Sequence, residues 1–277
     1  MAKIFKTSVF RYNPDKDDEP YFQEFDVDYE PGMTVLDALL FIQDKYDSSL
    51  AFRWECRGGQ CGSCAVRVNK TARIACRTKV EPDEKLVLEP LEKMPVIKDL
   101  VTDISQVSYR LRRIRPYVAR DKPTQHPEII HSEEIEKVRE IRKCIECSAC
   151  LSNCPIVHET WDYPGPMIIR QLARLELDPR DVEDRVAMAM NEMVYTCTTC
   201  KMCEDICPKS IKPGPEMQKY EEEIARYQTF LKLCDEILQV NEQICDARPV
   251  GEIGDEKELE ELKKKLLKKY KGKYRKK

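Results

Sequence analysis

The most constraining feature of this sequence is the arrangement of its cysteines. Twelve of the 14 cysteines fall into three blocks of four, at positions 56, 61, 64 and 76, then 144, 147, 150 and 154, then 197, 200, 203 and 207. In a chain of 277 residues these cysteines are too sparse for a small disulfide-stapled scaffold. Three groups of four thiols indicate metal–sulfur chemistry, and we expect a cytoplasmic protein because that compartment keeps thiols reduced.

The overall composition narrows the class of protein further. The chain has 47 basic and 50 acidic residues, so it lacks the net positive charge typical of nucleic-acid binders. No apolar stretch approaches the roughly 18 residues that a transmembrane helix needs. We therefore expect a globular protein with no nucleic-acid partner and no direct membrane span.

The first block has the spacing of plant-type [2Fe–2S] ligation. Cys56, Cys61 and Cys64 follow the pattern Cys-x4-Cys-x2-Cys, and Cys76 is the later fourth thiol. Small residues at 58, 59, 62 and 63 allow the loop to wrap closely around an inorganic core. A zinc site or a set of free thiols is the alternative, although zinc usually takes two separated Cys-x2-Cys pairs. We predict one [2Fe–2S] cluster.

The second and third blocks repeat one pattern, Cys-x2-Cys-x2-Cys-x3-Cys-Pro. In such a pattern the first three cysteines hold three corners of a cubane, and the fourth serves the other cluster. The predicted ligand sets are therefore crossed. Cys144, Cys147, Cys150 and Cys207, called set A below, would hold one [4Fe–4S] cluster. Cys154, Cys197, Cys200 and Cys203, called set B, would hold a second.

Around block one, the pattern predicts a domain that mixes strands and helix. Thr34 is a candidate N-cap for a helix over Val35–Tyr46. Four strands are predicted from alternation and β-branched or aromatic content: Ile4–Tyr12, Tyr21–Tyr29, Ala65–Val68 and Lys85–Leu88. These elements predict an α+β domain with the β-grasp, or ubiquitin-like, arrangement.

After a linker at 89–95 the pattern becomes helical, and residues 115–131 read as a loop. Helices are predicted at Val96–Ile114, from Ser132 onward, and at Met167–Leu177, Val182–Met193 and 214–243. We expect a [2Fe–2S] ferredoxin-like domain at 1–93, a linker and connecting helix at 94–131, an all-α ferredoxin domain with two cubanes at 132–250, and a basic tail at 251–277.

Several remaining features have structural interpretations. We interpret Cys234 and Cys245 as core thiols and His126, His131 and His158 as structural or surface residues. The tail is a solvated helix end or a contact for anionic lipid or an acidic partner.

The sequence has no dinucleotide fingerprint, no P-loop and no Ser–His–acid set, so we predict an electron-transfer chain without catalytic residues of its own.

The chain resembles a known family at this point. Cys56-Arg-Gly-Gly-Gln-Cys61-Gly-Ser-Cys64, and the linker Met94–Asp103 that leads to Arg115-Pro-Tyr117, are similar to the iron–sulfur subunit of succinate dehydrogenase and fumarate reductase. The resemblance runs from about residue 4 to about residue 230. It implies a partner subunit with covalently bound FAD that interconverts succinate and fumarate. It also implies that the [2Fe–2S] domain faces the flavin and the cubane domain faces the electron acceptor.

Two positions depart from the usual member of that family. The usual member has no cysteine at the position of Cys200 and carries a [3Fe–4S] cluster there, so Cys200 predicts [4Fe–4S], with [3Fe–4S] as the alternative. Quinone-binding members have tryptophans after the block-two Cys-Pro and a histidine after the first cysteine of block three, where this chain has Ile156–His158 and Thr198. The pattern resembles the non-classical branch, which passes electrons to a heterodisulfide reductase-like subunit.

We therefore expect an electron-transfer subunit of a succinate dehydrogenase or fumarate reductase complex. Its acceptor would be a separate heterodisulfide reductase-like subunit or a membrane anchor with quinone, and the chain could lie peripherally on the cytoplasmic face of the membrane. One alternative is the same kind of electron carrier serving a different flavoprotein oxidoreductase. A second is an interaction protein with structural clusters, although one cluster would suffice for that purpose.

Overall fold

A computed structural model of the chain describes residues 3–121, 129–160 and 162–212. Every described residue belongs to one compact unit. The predicted helix at 214–243, His126, Cys234, Cys245 and the basic tail lie outside the described residues.

A five-stranded sheet forms the first part of the structure. Its strands are β1 (Lys3–Arg11), β2 (Tyr21–Tyr29), β3 (Ala65–Val68), β4 (Thr71–Ile74) and β5 (Leu86–Glu89). They lie in the order β2-β1-β5-β3-β4. β1 pairs antiparallel with β2 along its whole length, from Lys3 opposite Tyr29 to Arg11 opposite Tyr21, and parallel with β5. The predicted strands Ile4–Tyr12 and Tyr21–Tyr29 are confirmed as β1 and β2, whereas β4 has no counterpart in the predicted strands.

Helix α1 (Val35–Lys45) supplies the other half of the first core. Thr34 accepts a hydrogen bond from the backbone N–H of Asp37, and the Asp37 carboxylate accepts one from the Thr34 N–H. This reciprocal capping box satisfies two N–H groups that a helix start leaves unpaired. The apolar face of α1 buries Leu39 and Ile42 against the inward residues of the sheet, of which Val9 and Leu88 are fully buried.

A buried carboxylate explains why the predicted helix Val96–Ile114 is wrong in its first half. Asp99 is 1% exposed and adopts φ 46°, which no helix interior allows. Its carboxylate accepts hydrogen bonds from Arg11 Nε at 3.1 Å and from the backbone N–H groups of Tyr12 and Ala51. These long-range bonds override the helical periodicity, so the segment forms a two-stranded ribbon.

The ribbon leads into a helical second part. Its strands are β6 (Val96–Lys98) and β7 (Val101–Thr102). The helices are α2 (Ser105–Arg113), α3 (Ser132–Val138), α4 (Ala149–Ser152), α5 (Pro155–Glu159), α6 (Pro166–Glu176), α7 (Arg185–Asn191) and α8 (Met202–Asp205). The predicted α+β fold class, a sheet-containing part followed by a helical part, is confirmed. The predicted helix at Val182–Met193 begins later than expected, at Arg185, because Asp184 caps it with a hydrogen bond from Ala187 N–H.

Helix α6 is the centre of the second core. Ile168, Ile169 and Leu172 are fully buried, and every residue from Pro166 to Ala173 is buried. The helix begins after Gly165, whose φ of 92° turns the chain sharply. An added Cβ at Gly165 would force the buried Leu151 side chain to move, and the positive φ would strain any other residue.

A buried ion pair fixes the chain that follows α2. Arg185 is fully buried and its guanidinium binds Asp181 Oδ2 at 2.7 Å. It also donates hydrogen bonds to the carbonyl oxygens of Ile114 at 2.7 Å and Tyr117 at 2.8 Å. The segment Ile114–Tyr117, which contains Pro116, is therefore held against the start of α7.

We expect Asp181→Asn to destabilise the protein by about 3–5 kcal/mol, because it leaves the Arg185 charge buried without its counter-ion. Anaerobic thermal unfolding followed by circular dichroism would measure this as a drop of several degrees in Tm. Glu183→Gln is the matched control, since the Glu183–Arg115 pair is partly exposed and such pairs contribute at most about 1 kcal/mol. Equal Tm values for the two variants would contradict the role given to Arg185.

Candidate metal centre

The thiols of block one lie in the loop before β3 and just after β4. Cys64 and Cys76 are buried, Cys61 is partly buried and Cys56 is exposed. The backbone N–H of Ala75 donates to the Cys64 carbonyl at 2.9 Å, which holds the two buried cysteines side by side. Burial raises the pKa of Cys64 to about 12, with contributions from Cys76 and Cys61. The structure therefore brings the later fourth thiol to the loop that carries the first three.

Backbone amides of the same loop point at the exposed sulfur. The N–H groups of Gln60 and Cys61 each donate to Cys56 Sγ at 3.3 Å. These donors, first Gln60 and then Cys61, lower the pKa of Cys56 to about 6. Because a metal ligand must be a thiolate, a loop that stabilises the thiolate form is prepared for ligation.

The four thiols of set A converge in the helical part. Cys144, Cys147, Cys150 and Cys207 line one small cavity together. Burial, together with negative charge on Cys144 and Cys207, raises the pKa of Cys147 to about 11. Burial and the other thiols of the set also raise the pKa of Cys150. The fourth cysteine of block three thus lies with the first three of block two.

Set B shows the reciprocal arrangement. Cys154, Cys197, Cys200 and Cys203 line a second cavity of about 240 Å³. Burial raises the pKa of Cys203 to about 12, and negative charge on Cys154 and Cys197 adds to the effect. The structure brings together the members of both crossed sets, and their role as iron ligands stays a prediction.

Left-handed residues recur at the same places in the two repeats. Glu146 and Ser148 have φ of 53° and 62°, and Thr199 and Lys201 have φ of 51° and 63°. In each repeat the first of these turns aims an N–H at the first cysteine: Glu146 donates to Cys144 Sγ at 3.4 Å, and Thr199 donates to Cys197 Sγ at 3.3 Å. None of the four residues is glycine, so the sequence carries no local signal for these turns.

The donor set fits iron–sulfur clusters. Within the described part of the chain, no three His, Cys, Asp or Glu side chains converge tightly enough to hold a single metal ion. A multinuclear cluster spaces its thiolates more widely, because they are shared among two or more irons. Four thiols per group, with amide donors aimed at their sulfurs, are the surroundings that such a cluster uses.

The block-one loop touches the block-two loop directly. Gly62 has φ 73°, and an added Cβ there would lie 2.5 Å from the Ile145 carbonyl oxygen and 3.0 Å from Cys147. Only glycine permits this approach, which places the loop of the predicted [2Fe–2S] cluster against that of set A.

Polar contacts reinforce the contact between the sheet and the helical part. The Asn153 side-chain oxygen accepts a hydrogen bond from Ala72 N–H in β4 at 3.1 Å. The Ser152 hydroxyl accepts one from Glu92 N–H at 2.8 Å. His158 Nε2 lies 2.9 Å from the Ser152 carbonyl, in agreement with its predicted structural role.

Two family models match the chain. One is described as a 2Fe-2S iron-sulfur cluster binding domain and matches residues 6–109. The other is described as a 4Fe-4S dicluster domain and matches residues 140–211. The first match includes all four cysteines of block one, and the second includes all eight cysteines of blocks two and three.

Curated proteins and solved structures are also similar. The chain is 37% identical over 217 residues to one component of the fumarate reductase (CoM/CoB) from Methanothermobacter marburgensis, covering 78% of this chain but only 43% of that protein. It is 36% identical over 236 residues to the mitochondrial succinate dehydrogenase iron-sulfur subunit of Candida glabrata, covering 80% of this chain and 91% of that protein. A chain in the apo structure of the Mycobacterium smegmatis Sdh1 complex matches with a TM-score of 0.77 and 30% identity, over 83% of this chain and 98% of that one.

We expect Gly62→Ala to separate the two loops, because the new methyl group meets backbone atoms and the left-handed φ adds strain. The melting temperature Tm and the iron content should both be lower than in the parent protein. Gly58→Ala is the control, since its Cβ would meet only Cys56 O at an ordinary 3.6 Å. A Gly62→Ala protein with parental Tm and iron content would contradict the close approach.

We expect Cys200→Ser to alter only the set B cluster, leaving a [3Fe–4S] centre or none. Electron paramagnetic resonance of the anaerobic protein would detect this change, and Cys147→Ser should alter the set A cluster instead. If all three cluster signals survived Cys200→Ser unchanged, the assignment of Cys200 would be wrong.

Proposed function

The chain belongs to the family of succinate dehydrogenase and fumarate reductase iron–sulfur subunits, and we propose that it carries electrons along three clusters between a flavoprotein and an acceptor subunit. Members of this family transfer electrons and leave the substrate chemistry to a partner. The observation that carries the proposal is the gathering of twelve thiols into three adjacent groups within one compact unit.

We assign one group of ligands to each cluster. Cys56, Cys61, Cys64 and Cys76 would hold [2Fe–2S], set A would hold [4Fe–4S], and set B would hold [4Fe–4S], with [3Fe–4S] as the alternative for set B. Each cluster, when bound, supplies a one-electron carrier. The chain supplies the thiolates, the amide donors to their sulfurs, and apolar surroundings that limit contact with water.

The contact at Gly62 supports transfer between the first two clusters. Electron transfer slows steeply with distance, so two carriers must approach closely to exchange electrons quickly. Gly62 lies against Ile145 and Cys147, and the Lys209 ammonium donates to Gln60 Oε1 at 3.0 Å. These contacts join the loop of block one to those of blocks two and three.

The exposed rim of block one suits entry of electrons from a partner that contains FAD. Cys56 is exposed there, and the Arg57 guanidinium lies 4.6 Å from the ring centre of Trp54, which is 40% exposed. Aromatic and arginine side chains at a surface are typical of protein interfaces. The partner would carry out the interconversion of succinate and fumarate.

Cys200 is exposed at the rim of set B and suits the exit of electrons. We propose a separate heterodisulfide reductase-like subunit as the acceptor, with a quinone-binding membrane anchor as the alternative. Thr198, which lines the set B cavity, stands where quinone-binding members have histidine. The name of the Methanothermobacter relative, a CoM/CoB fumarate reductase, also supports the first acceptor.

Within the described part of the chain, no helix is long and apolar enough to span a membrane. We propose a cytoplasmic location, or a peripheral one on the cytoplasmic face of the membrane through partner subunits.

The same arrangement of three thiol groups would serve a different flavoprotein oxidoreductase, because the partner subunit determines the substrate.

Anaerobic purification of the chain with its bound subunits would test the proposal. We expect a flavin-containing partner, three sets of cluster signals, and succinate oxidation or fumarate reduction with a viologen dye. The chain purified without that partner is the control and should show no such activity. A partner whose flavin responds to neither succinate nor fumarate would favour the different oxidoreductase, and activity of the isolated chain would overturn the electron-carrier role.

A further inference from the structure

Tyr163 has a buried hydroxyl that contacts the Cys197 side chain but finds no partner with full hydrogen-bond geometry in the described part of the chain. The side chain is 0% exposed, and its oxygen has no partner of ordinary geometry among the described residues. Leaving a buried hydroxyl unpaired costs about 1–3 kcal/mol. Phenylalanine would fill the same apolar space without this cost, so packing alone does not account for a tyrosine here.

The position of Tyr163 indicates what the hydroxyl faces. The residue lines the 240 Å³ cavity together with all four thiols of set B. A tyrosine hydroxyl has an ordinary pKa of about 10, so it carries its proton at neutral pH and is a hydrogen-bond donor beside sulfur.

The backbone around Tyr163 holds the ring in this place. Pro164 restricts the chain on one side, and the left-handed Gly165 turns it directly into α6. The ring packs in the second core with residues that include Ile168 and Leu172. The side chain is thus removed from bulk solvent, with the cavity of set B on one side and this core on the other.

We propose that the Tyr163 hydroxyl donates a hydrogen bond to a sulfur atom of the set B cluster and thereby raises the reduction potential of that cluster. This inference rests on the proposed function, since it needs a cluster held by set B. Tyr163 is a positioning and tuning residue in this role and is not an iron ligand.

The physical basis is the charge that reduction adds. Reduction of a cluster held by set B would add one negative charge beside the Tyr163 hydroxyl, which would keep its proton. A donor aimed at sulfur stabilises this added charge more than it stabilises the oxidised form. Among the described residues that line the set A cavity there is no tyrosine, so the effect should be confined to set B.

Tyr163→Phe in the anaerobic complex tests the proposal directly. A redox titration followed by electron paramagnetic resonance should show the set B midpoint potential moving to a more negative value. At a fixed potential the ratio of reduced to oxidised cluster should fall about three- to tenfold, a fraction of the strength of one hydrogen bond to a charged group. The other two midpoint potentials should stay unchanged.

Tyr109→Phe is the matched control, because it removes a hydroxyl from a side chain that is 64% exposed. It should leave all three potentials unchanged. If Tyr163→Phe assembles the set B cluster with the parental potential, the hydrogen bond is overturned. If the parent protein itself has no cluster at set B, the proposed function fails first, so the two failures are distinguishable.

If Tyr163→Phe fails to assemble the cluster, labelling of the parent protein with a tyrosine analogue provides a second measurement. Replacing the tyrosines with 3-fluorotyrosine makes each hydroxyl a stronger donor with almost no change of shape. The set B potential should then move to a more positive value while the other two remain in place. An unchanged set B potential in the labelled protein would overturn the proposal.

Discussion

The helical part of this protein depends on one constraint, namely that two groups of four thiols must each draw members from both cysteine blocks. Without iron these thiols repel as they ionise, since burial and the charge of neighbouring thiols raise the pKa of Cys147 and Cys203. Metal binding reverses this relation, because the ligand form is the thiolate. We therefore interpret the helical fold and the binding of both clusters as a single coupled process.

The same constraint explains the irregular backbone around the blocks. Short helices such as α4 and α8 each follow a pair of left-handed residues, of which Glu146 and Thr199 are the first in each repeat. Such conformations strain non-glycine residues. The gain is geometric, since each turn directs both a thiol and a backbone N–H toward one point. The buried helix α6 provides the packed core beside which these turns lie.

Electron transfer adds a requirement for proximity between the two parts of the chain. Gly62 meets it by the absence of a side chain, and Asn153 and Ser152 meet it by hydrogen bonds to the backbone of the sheet and linker. The buried Asp99 plays a related role, because it fixes the ribbon that connects the sheet to α2. Under the proposed function these contacts share one purpose, which is to hold successive electron carriers close together.

The sequence by itself determined the cysteine spacing, the two-part α+β architecture and the family, because these depend on local patterns. Capping at Thr34 and alternation in Tyr21–Tyr29 are local features of this kind, and both elements were predicted correctly. Only the tertiary structure decided the ribbon at Asp99, the strand Thr71–Ile74, the approach of Gly62 to the block-two loop and the burial of Tyr163 against set B. Each of these depends on contacts between residues far apart in the chain, whose free energy local periodicity does not contain.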